Sequence, residues 1–456
     1  MTDRPSSAGR ALRVPSGRFA RLAHVGSMAG GIAGNMAFGA AGALGRGARP
    51  DMRSLLLTPG NMRRMADGLA RMRGAAMKVG QLISMDAGEI LPPELAQIMA
   101  RLRDDAHVMP PRQLKQVLIA NWGPDWLRAF ERFDVQPIAA ASIGQVHRAR
   151  LRDGRDVAVK VQYPGVARSI DSDVANVGAL VRMSGLLPKG FDLAPYLDEA
   201  RLQLHEETDY ASEGRHLSRF GARLADMDRF TVPDFHPDWS TRDVLTMSFV
   251  AGHPIEAAAD LEPGERNAIA RDLIDLFLRE LFDWGEMQSD PNFANYRYDP
   301  GTRRIALLDF GATRKVHPDV VSGYRRFLSA GLAGDAAALE EAATGLGFLD
   351  QAGDPDHRAR ILAMIETVFA ALRATEEYDF TGTDLTREMQ AQGIALAEAG
   401  YVPPPLPMDI LYVQRKVGGL FLLASRLGAR LPVRATLEAV LAAPPCDPLP
   451  AAVDPG

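Results

Sequence analysis

Residues 139–162, AAASIGQVHRARLRDGRDVAVKVQ, and residues 288–314, QSDPNFANYRYDPGTRRIALLDFGATR, decide how this chain is read. In the first, residues 142–162 alternate apolar and polar with strand period on either side of Arg152-Asp153-Gly154-Arg155 and read as a β-hairpin. In the second, Asp299-Pro300-Gly301 separates two short strand-like runs and predicts another hairpin. Lys160 falls in mid-strand between Val159 and Val161. A lysine on a half-buried strand needs an anionic partner, phosphate or carboxylate; the alternative is a solvated strand face. The helical stretch HEETDYASEGRH offers Glu206, Glu207, Asp209 and Glu213 as carboxylates, or simply a charged helix face.

Outward from these hairpins the period changes. Residues 61–135 read as a run of helices: NMRRMADGLARMRGAAMKVGQLISM has apolar positions at helical spacing, and LPPELAQIMARLRD restarts after a proline pair. After the first hairpin we expect one long helix near Asp192–Met227, a strand over Asp243–Val250 and a helix over Pro263–Trp284. Beyond about residue 317 the pattern is helical, interrupted by the loop YVPPPLPMD. The expected organisation is a basic Gly/Ala-rich arm (1–60), a helical extension (61–135), a mixed lobe (136–250), a helix-rich lobe (251–440) and a Pro-rich tail (441–456).

Composition narrows the classes. With 456 residues, 46% of them apolar and 24% charged, the chain is an ordinary globular protein, not a collagen-like, coiled-coil or wholly disordered one. The single cysteine, Cys446, excludes an intrachain disulfide, argues against structural zinc and suits a reducing compartment. Net charge is −5, but residues 1–50 hold seven arginines against one acid, Asp3, so the arm is basic and the body acidic. That asymmetry points to an anionic surface for the arm and gives the body no reason to bind nucleic acid. Residues 22–45, LAHVGSMAGGIAGNMAFGAAGALG, carry no formal charge and are long enough to cross a bilayer. They are rich in Gly and Ala, which fits a flexible linker as well as membrane contact. The GxxxG spacings at Gly26, Gly30 and Gly34 suit a homodimer of close-packed helices in lipid. Only six lysines, at 78, 115, 160, 189, 315 and 416, stand beside 46 arginines. A retained lysine is therefore a choice that composition alone does not explain; where a site needs a compact ammonium, arginine's planar fork is no equivalent, and Lys78 and Lys160 suit two buried electrostatic sites.

The two opening stretches fit, in order, the parts of a phosphoryl-transfer enzyme. The first overlays the protein-kinase loop G-x-G-x-x-G-x-V followed by V-A-I-K. Gly144 takes the third glycine position, Val146 the valine and Val157-Ala158-Val159-Lys160 the lysine strand, while Ala139 and Ala141 stand where glycines would be. Alanine resists positive φ, so this loop is expected to be stiffer than a Gly-rich one; Ser142 adds a hydroxyl donor. In the second stretch Asp290 and Asn295 have D-x4-N spacing, and Asp309-Phe310-Gly311 follows 14 residues after Asn295. Such a set provides an acid to orient or deprotonate the acceptor, two Mg²⁺ ligands (Asn295 and Asp309) and a cation for the ATP phosphates. No His-Arg precedes Asp290 and no APE follows DFG, which weakens the case for protein substrates.

With these residues goes Lys78-Val79-Gly80-Gln81, a KxGQ motif in the helical extension. Together with Ala139–Ser142 (AAAS), the ExD pair Glu207 and Asp209, and QSDPNFAN, it makes the chain, from about residue 61 to 440, resemble the UbiB-type atypical kinase family. The resemblance implies an α+β, two-lobed protein-kinase-like fold with the KxGQ helices as an N-terminal extension and a helix-rich C-terminal lobe. It also implies ATP and Mg²⁺ as cofactors, slow ATP hydrolysis promoted by anionic lipid and phenolic ligands, and a role in ubiquinone (coenzyme Q) synthesis beside its enzymes. By similarity Ala139, Ala140, Ala141, Ser142 and Lys160 would hold nucleotide, with Glu213 as the lysine's helix partner. The backbone of Met247, Ser248, Phe249 and Val250 would read adenine. Lys78, Gly80 and Gln81 would lie near Glu207 and Asp209 and restrain access, with Asp290, Lys160 and Asp309 catalytic. Membrane-held quinone precursors would be its ligands, at the cytoplasmic face of a bacterial inner membrane or the matrix side of a mitochondrion. Two alternatives are a small-molecule kinase of the aminoglycoside or choline type and a non-catalytic ATP-binding scaffold.

Overall fold

A computed structural model describes residues 58, 69, 72–87, 108–184, 192–350, 353–382, 384–399, 401 and 406–443. Residues 1–57, with the basic arm and the uncharged run 22–45, and the tail beyond 443 lie outside the described residues. The described residues divide into two compact units, the first drawn from the ranges 1–220 and 233–250 and the second from 221–232 and 251–456.

In the first unit helices α1 (Arg73–Ala87) and α2 (Pro111–Trp122) precede strands β1 (Phe130–Phe133), β2 (Ala139–Ala140), β3 (Gly144–Leu151) and β4 (Asp156–Gln162). Helices α3 (Val166–Ser184), α4 (Ala194–Glu207) and α5 (Tyr210–Arg223) follow. The chain then passes through the second unit, where β5 (Phe230–Thr231) lies, and returns for β6 (Val244–Ser248). The sheet runs β1-β3-β4-β6, with β2 bonded to β3, and every pairing is antiparallel. The first hairpin forms as expected: β3 and β4 pair from Arg150↔Asp156 to Gly144↔Gln162.

Alternation along β4 separates core from chemistry. Val157, Val159 and Val161 enter an apolar cluster with Met109, Leu114, Leu118 and Phe130. With strand period two, Ala158, Lys160 and Gln162 take the opposite face. Aromatic rings close the apolar side: Trp122 lies 5.4 Å from Phe130 and 5.3 Å from Trp239, centroid to centroid. Here the helical reading of 61–135 gives way, because Phe130–Phe133 is a strand. Burying Phe130 against Trp122 and Trp126 outweighs any local helical preference.

The single helix expected over Asp192–Met227 is instead two, broken at Thr208-Asp209. Both residues prefer local bonds to helix continuation. The Thr208 hydroxyl donates to the carbonyl of His205 at 2.7 Å, and Asp209 Oδ1 accepts the amide of Ser212 at 3.1 Å, starting α5. Helix α1 packs on α3 and α4.

The second unit contains β7 (His253–Pro254), α6 (Pro263–Phe282), β8 (Glu286–Gln288), β9 (Tyr296–Asp299), β10 (Arg304–Leu307) and β11 (Thr313–Lys315). Then come α7 (Pro318–Ala333), α8 (Ala336–Gly345), α9 (Pro355–Ala374), β12 (Tyr378–Asp379), α10 (Asp384–Glu398), α11 (Met408–Leu427), β13 (Arg430–Leu431) and α12 (Val433–Ala442). A four-stranded sheet runs β5-β10-β9-β7, with β10 parallel to β5 and antiparallel to β9; β8 pairs with β11, and β12 with β13. The β9–β10 hairpin turns where expected. Asp299 holds it, accepting from the amide of Gly301 at 3.0 Å and the hydroxyl of Thr302 at 2.7 Å. Helix α6 packs against α11. Among the described residues, no helix is long and apolar enough to cross a membrane.

Candidate active site

In the first unit the chemistry gathers on the Lys160 face of β4. Lys160 Nζ donates to Glu213 Oε1 at 2.7 Å and Oε2 at 2.9 Å, with both side chains buried. Its ammonium also lies 5.1 Å from the centre of the Tyr210 ring. Glu213, one turn into α5, is the carboxylate of the four-acid cluster that this lysine meets. Removing either partner would leave an uncompensated buried charge, so the pair stands or falls together. Gln162, two residues on, donates from Nε2 to the carbonyls of Thr208 at 2.8 Å and Arg242 at 3.0 Å, tying β4 to the helix break.

The alanine loop is a tight hairpin. Ala139 and Ala140 pair with Val146 and Gln145, and the Ala141 amide donates to Gly144 O at 2.8 Å. Gly144 is a glycine because a Cβ there would stand 2.4 Å from Val161 O and 2.9 Å from the Tyr210 hydroxyl. The Ser142 hydroxyl donates to Glu207 Oε2 at 2.9 Å, while Glu207 Oε1 forms an ion pair with Lys78 of α1. Glu207 therefore joins the KxGQ helix to the loop. Asp209, grouped with it in the sequence, serves as the cap of α5. On α1, Gly80 is buried and Gln81 half-buried.

Met247 and Ser248 end β6, and Phe249 and Val250 follow. Met247 pairs with Ala158; the amides of Ser248 and Phe249 donate to Asp234 O at 2.9 Å and Asp156 O at 2.8 Å. The Arg148 guanidinium lies 4.0 Å from the centre of the Phe249 ring and bonds Asp156 at 2.5 Å.

In the second unit the D-x4-N loop leaves β8. Asn295 Nδ2 donates to Asp290 Oδ2 at 3.1 Å and to Asp290 O at 3.3 Å, so the five-residue spacing brings the two side chains together. The Ser289 amide and hydroxyl both donate to Ala312 O, at 2.9 and 2.8 Å, and the Leu308 amide donates to Asn295 O at 3.0 Å. These bonds stitch the loop to the DFG segment. Asp309 Oδ1 accepts the Gly311 amide at 2.9 Å, and Phe310 is buried.

Helix α11 adds residues that no motif predicts. Arg415 Nη2 donates to Asp290 Oδ1 at 2.7 Å. Buried Lys416 reaches Gln288 Oε1 at 2.9 Å and the Tyr296 hydroxyl at 3.0 Å. Gly419 lies under Pro291, where a Cβ would be 2.2 Å from the ring. Arg415 lies 125 positions after Asp290, a separation that carries no local pattern. The scarcity of lysine was the only sequence signal for Lys416.

Does this donor set fit Mg²⁺? With its amide nitrogen bonded to Asp290, Asn295 would offer its oxygen to a cation, and Asp309 would add a carboxylate. Two hard oxygen ligands of this kind would suit Mg²⁺. Among the described residues there is no group of three or more His, Cys, Asp or Glu side chains that would make a dedicated metal cage.

A family profile described as "ABC1 atypical kinase-like domain" matches residues 101–343. "Atypical kinase COQ8, mitochondrial" of Saccharomyces cerevisiae is 37% identical over 417 residues, covering 91% of this chain and 83% of the yeast protein. "Atypical kinase coq-8, mitochondrial" of Caenorhabditis elegans is 36% identical over 431 residues, covering 91% of this chain and 56% of the worm protein. A solved complex of Rv3197 with erythromycin from Mycobacterium tuberculosis shares the fold, with TM-score 0.59 and 24% identity over 82% of this chain and 95% of that one. The chain thus belongs to the ABC1, or UbiB-type, family of atypical kinases, and is an ATP-dependent phosphoryl-transfer enzyme of that kind.

Proposed function

We propose that this chain is a membrane-associated, Mg²⁺-dependent ATPase or atypical kinase that makes quinone precursors available for coenzyme Q synthesis. The observation that carries the reading is the D-x4-N and DFG constellation, with Asn295 bonded to Asp290 and their loop tied to the DFG segment. Mg-ATP supplies an activated phosphoryl group whose charge needs neutralising. Lys160, held by Glu213, places a cation for the α- and β-phosphates. Asn295 and Asp309 offer the metal ligands. Asp290, oriented by Arg415 and Asn295, directs a water or hydroxyl acceptor. The main chain of Met247–Val250 reads adenine, and since the Ser248 and Phe249 amides are engaged, contact falls to Val250 and the carbonyls. Lys78 with Gln81, Gly80, Glu207 and Asp209 restrains access to this machinery.

The membrane half of the proposal rests on charge: seven arginines in residues 1–50 would each add about 1 kcal/mol of attraction to anionic lipid near its surface. In this reading the partners are anionic phospholipid, a quinone-precursor or phenolic ligand and the enzymes of ubiquinone synthesis, with a homodimer through residues 26–34. The compartment is the cytoplasmic face of a bacterial inner membrane or the mitochondrial matrix side. The test is ATP hydrolysis by the full chain with and without Mg²⁺ and anionic liposomes, paired with Asp309→Asn. Lipid-stimulated phosphate release that disappears in the variant supports the proposal. Nucleotide binding without any variant-sensitive release refutes it in favour of a scaffold.

A further inference from the structure

Lys416 belongs to no motif described above, yet it is 3% exposed and held by three groups. Its ammonium donates to Gln288 Oε1 at 2.9 Å and to the Tyr296 hydroxyl at 3.0 Å, and it stands 3.7 Å from Glu280 Oε2. Gln288 and Tyr296 are the residues that bracket the loop carrying Asp290 and Asn295. Gln288 passes the contact on, donating from Nε2 to Asp290 O at 2.8 Å, the same carbonyl that Asn295 Nδ2 meets at 3.3 Å. The backbone N–H of Gln288 in turn donates to Glu280 Oε1 at 3.4 Å. One ammonium therefore fastens both ends of the loop, and the anchoring reaches the backbone of the proposed acceptor-orienting residue.

The side-chain chemistry explains why a lysine stands here in a chain that otherwise uses arginine. A tetrahedral ammonium can donate to Gln288 and Tyr296 while its charge faces Glu280, whereas a guanidinium presents its donors in one plane. Burial works against the ammonium, but Glu280, Tyr296 and Asp290 outweigh it and raise the Lys416 pKa above the ordinary lysine value, while burial also raises Glu280 above the ordinary carboxylate value.

Resting on the phosphoryl-transfer reading, we propose that Lys416 is the positioning residue of the D-x4-N loop, tying Gln288 to Tyr296 and so fixing Asp290 against Asn295. It touches no reacting atom. Its effect is to set the loop geometry, where a displacement of about 1 Å costs on the order of 100-fold in rate.

The test compares the full-length wild type with Lys416→Met/Glu280→Gln, which removes the buried charge pair as a unit, and with Tyr296→Phe, which cuts one tether and leaves the pair intact. Removing both charges together avoids an unpaired buried ion, so the double variant should stay folded. Mg-ATP hydrolysis gives kcat and KM, and amide hydrogen exchange reports the segment 288–296. The expected result for the double variant is kcat lower by about 10- to 100-fold, KM for ATP within about threefold and exchange in 288–296 at least about tenfold faster. Tyr296→Phe should show a smaller loss of the same kind. Wild-type kcat and exchange in the double variant would overturn the proposal and leave Lys416 as a counterion of Glu280. If the wild type itself hydrolyses nothing, the phosphoryl-transfer reading fails separately, and the exchange measurement alone decides whether Lys416 fixes the loop.

Discussion

Two adjacent glycines on α11 give a prediction with its own control. A Cβ at Gly418 meets nothing within 4 Å, whereas one at Gly419 would be 2.2 Å from Pro291 Cβ and 2.6 Å from its Cγ. Both glycines lie inside a 20-residue helix, so alanine at either gains about 1 kcal/mol of helix propensity. At 418 nothing opposes that gain, and Gly418→Ala should stabilise the protein by about that amount. At 419 the new methyl meets a rigid ring, and overpacking of this kind costs about 1–3 kcal/mol. The net for Gly419→Ala is then about 0–2 kcal/mol of destabilisation, leaving a gap of about 1–3 kcal/mol between neighbouring substitutions. For a unit of this size each kcal/mol corresponds to about 2–4 °C in Tm. Thermal unfolding followed by circular dichroism would read the difference. Activity should separate the two more sharply, because Pro291 adjoins Asp290: pushing the ring aside should lower kcat by about tenfold or more at 419 and leave it unchanged at 418. Equal stability and equal kcat in the two variants would refute the close packing of α11 on the loop.

Other expectations follow from the same geometry. Asp309→Asn should cut Mg-dependent hydrolysis by at least about 100-fold, measured as phosphate release, since it removes charge from a metal ligand while keeping an acceptor for the Gly311 amide. Lys78→Met should cost about 3 kcal/mol in urea unfolding by stranding Glu207, and Lys78→Met/Glu207→Gln should recover most of it; an equal loss in both variants would mean the pair contributes packing alone. His147 is buried between Gln145 Nε2 and Asp134 O, both at 2.8 Å, and burial pushes its pKa below the usual histidine value, against the opposing pull of the Asp134 carbonyl. The unfolded chain therefore takes up the proton first. Its contribution is complete above about pH 6.5 and fades as pH falls towards the folded value. In His147→Gln the decline of stability between pH 7 and 5 should be shallower, by up to about 1.4 kcal/mol per pH unit, and an unchanged slope would show that His147 does not titrate on unfolding.

What could be read in advance depended on how local the governing interactions are. The two hairpins were legible because strand period and turn residues lie within a few positions of one another, as the β3–β4 and β9–β10 registers show. The D-x4-N spacing was legible for the same reason: it closes a hydrogen bond over five residues. The break at Thr208-Asp209 was masked by continuous helical patterning on both sides, although an Asp three residues before a Ser amide is a capping signal. Strand β1 was hidden because its formation depends on Trp122, Trp126 and Trp239 packing on Phe130. Arg415 and Lys416 were out of reach of pattern altogether, since tertiary folding alone brings α11 to the loop.

The scarcity of lysine takes on physical meaning in the pairs themselves. Lys78 meets Glu207, Lys160 meets Glu213 and Lys416 stands near Glu280, and all three ammonium groups are buried. Arginine is the more weakly hydrated cation and would cost less to bury, so stability alone does not favour lysine at these places. A compact charge on a flexible stem has two advantages that do matter. It fits on a pleated strand between close neighbours, as Lys160 does opposite Val146 and Leu245. It also directs its donors to acceptors on separate residues, as Lys416 does towards Gln288 and Tyr296. In each pair the carboxylate comes from a helix and balances the charge locally. An acidic body with basic charge concentrated in the arm can thus keep its buried cations for positioning.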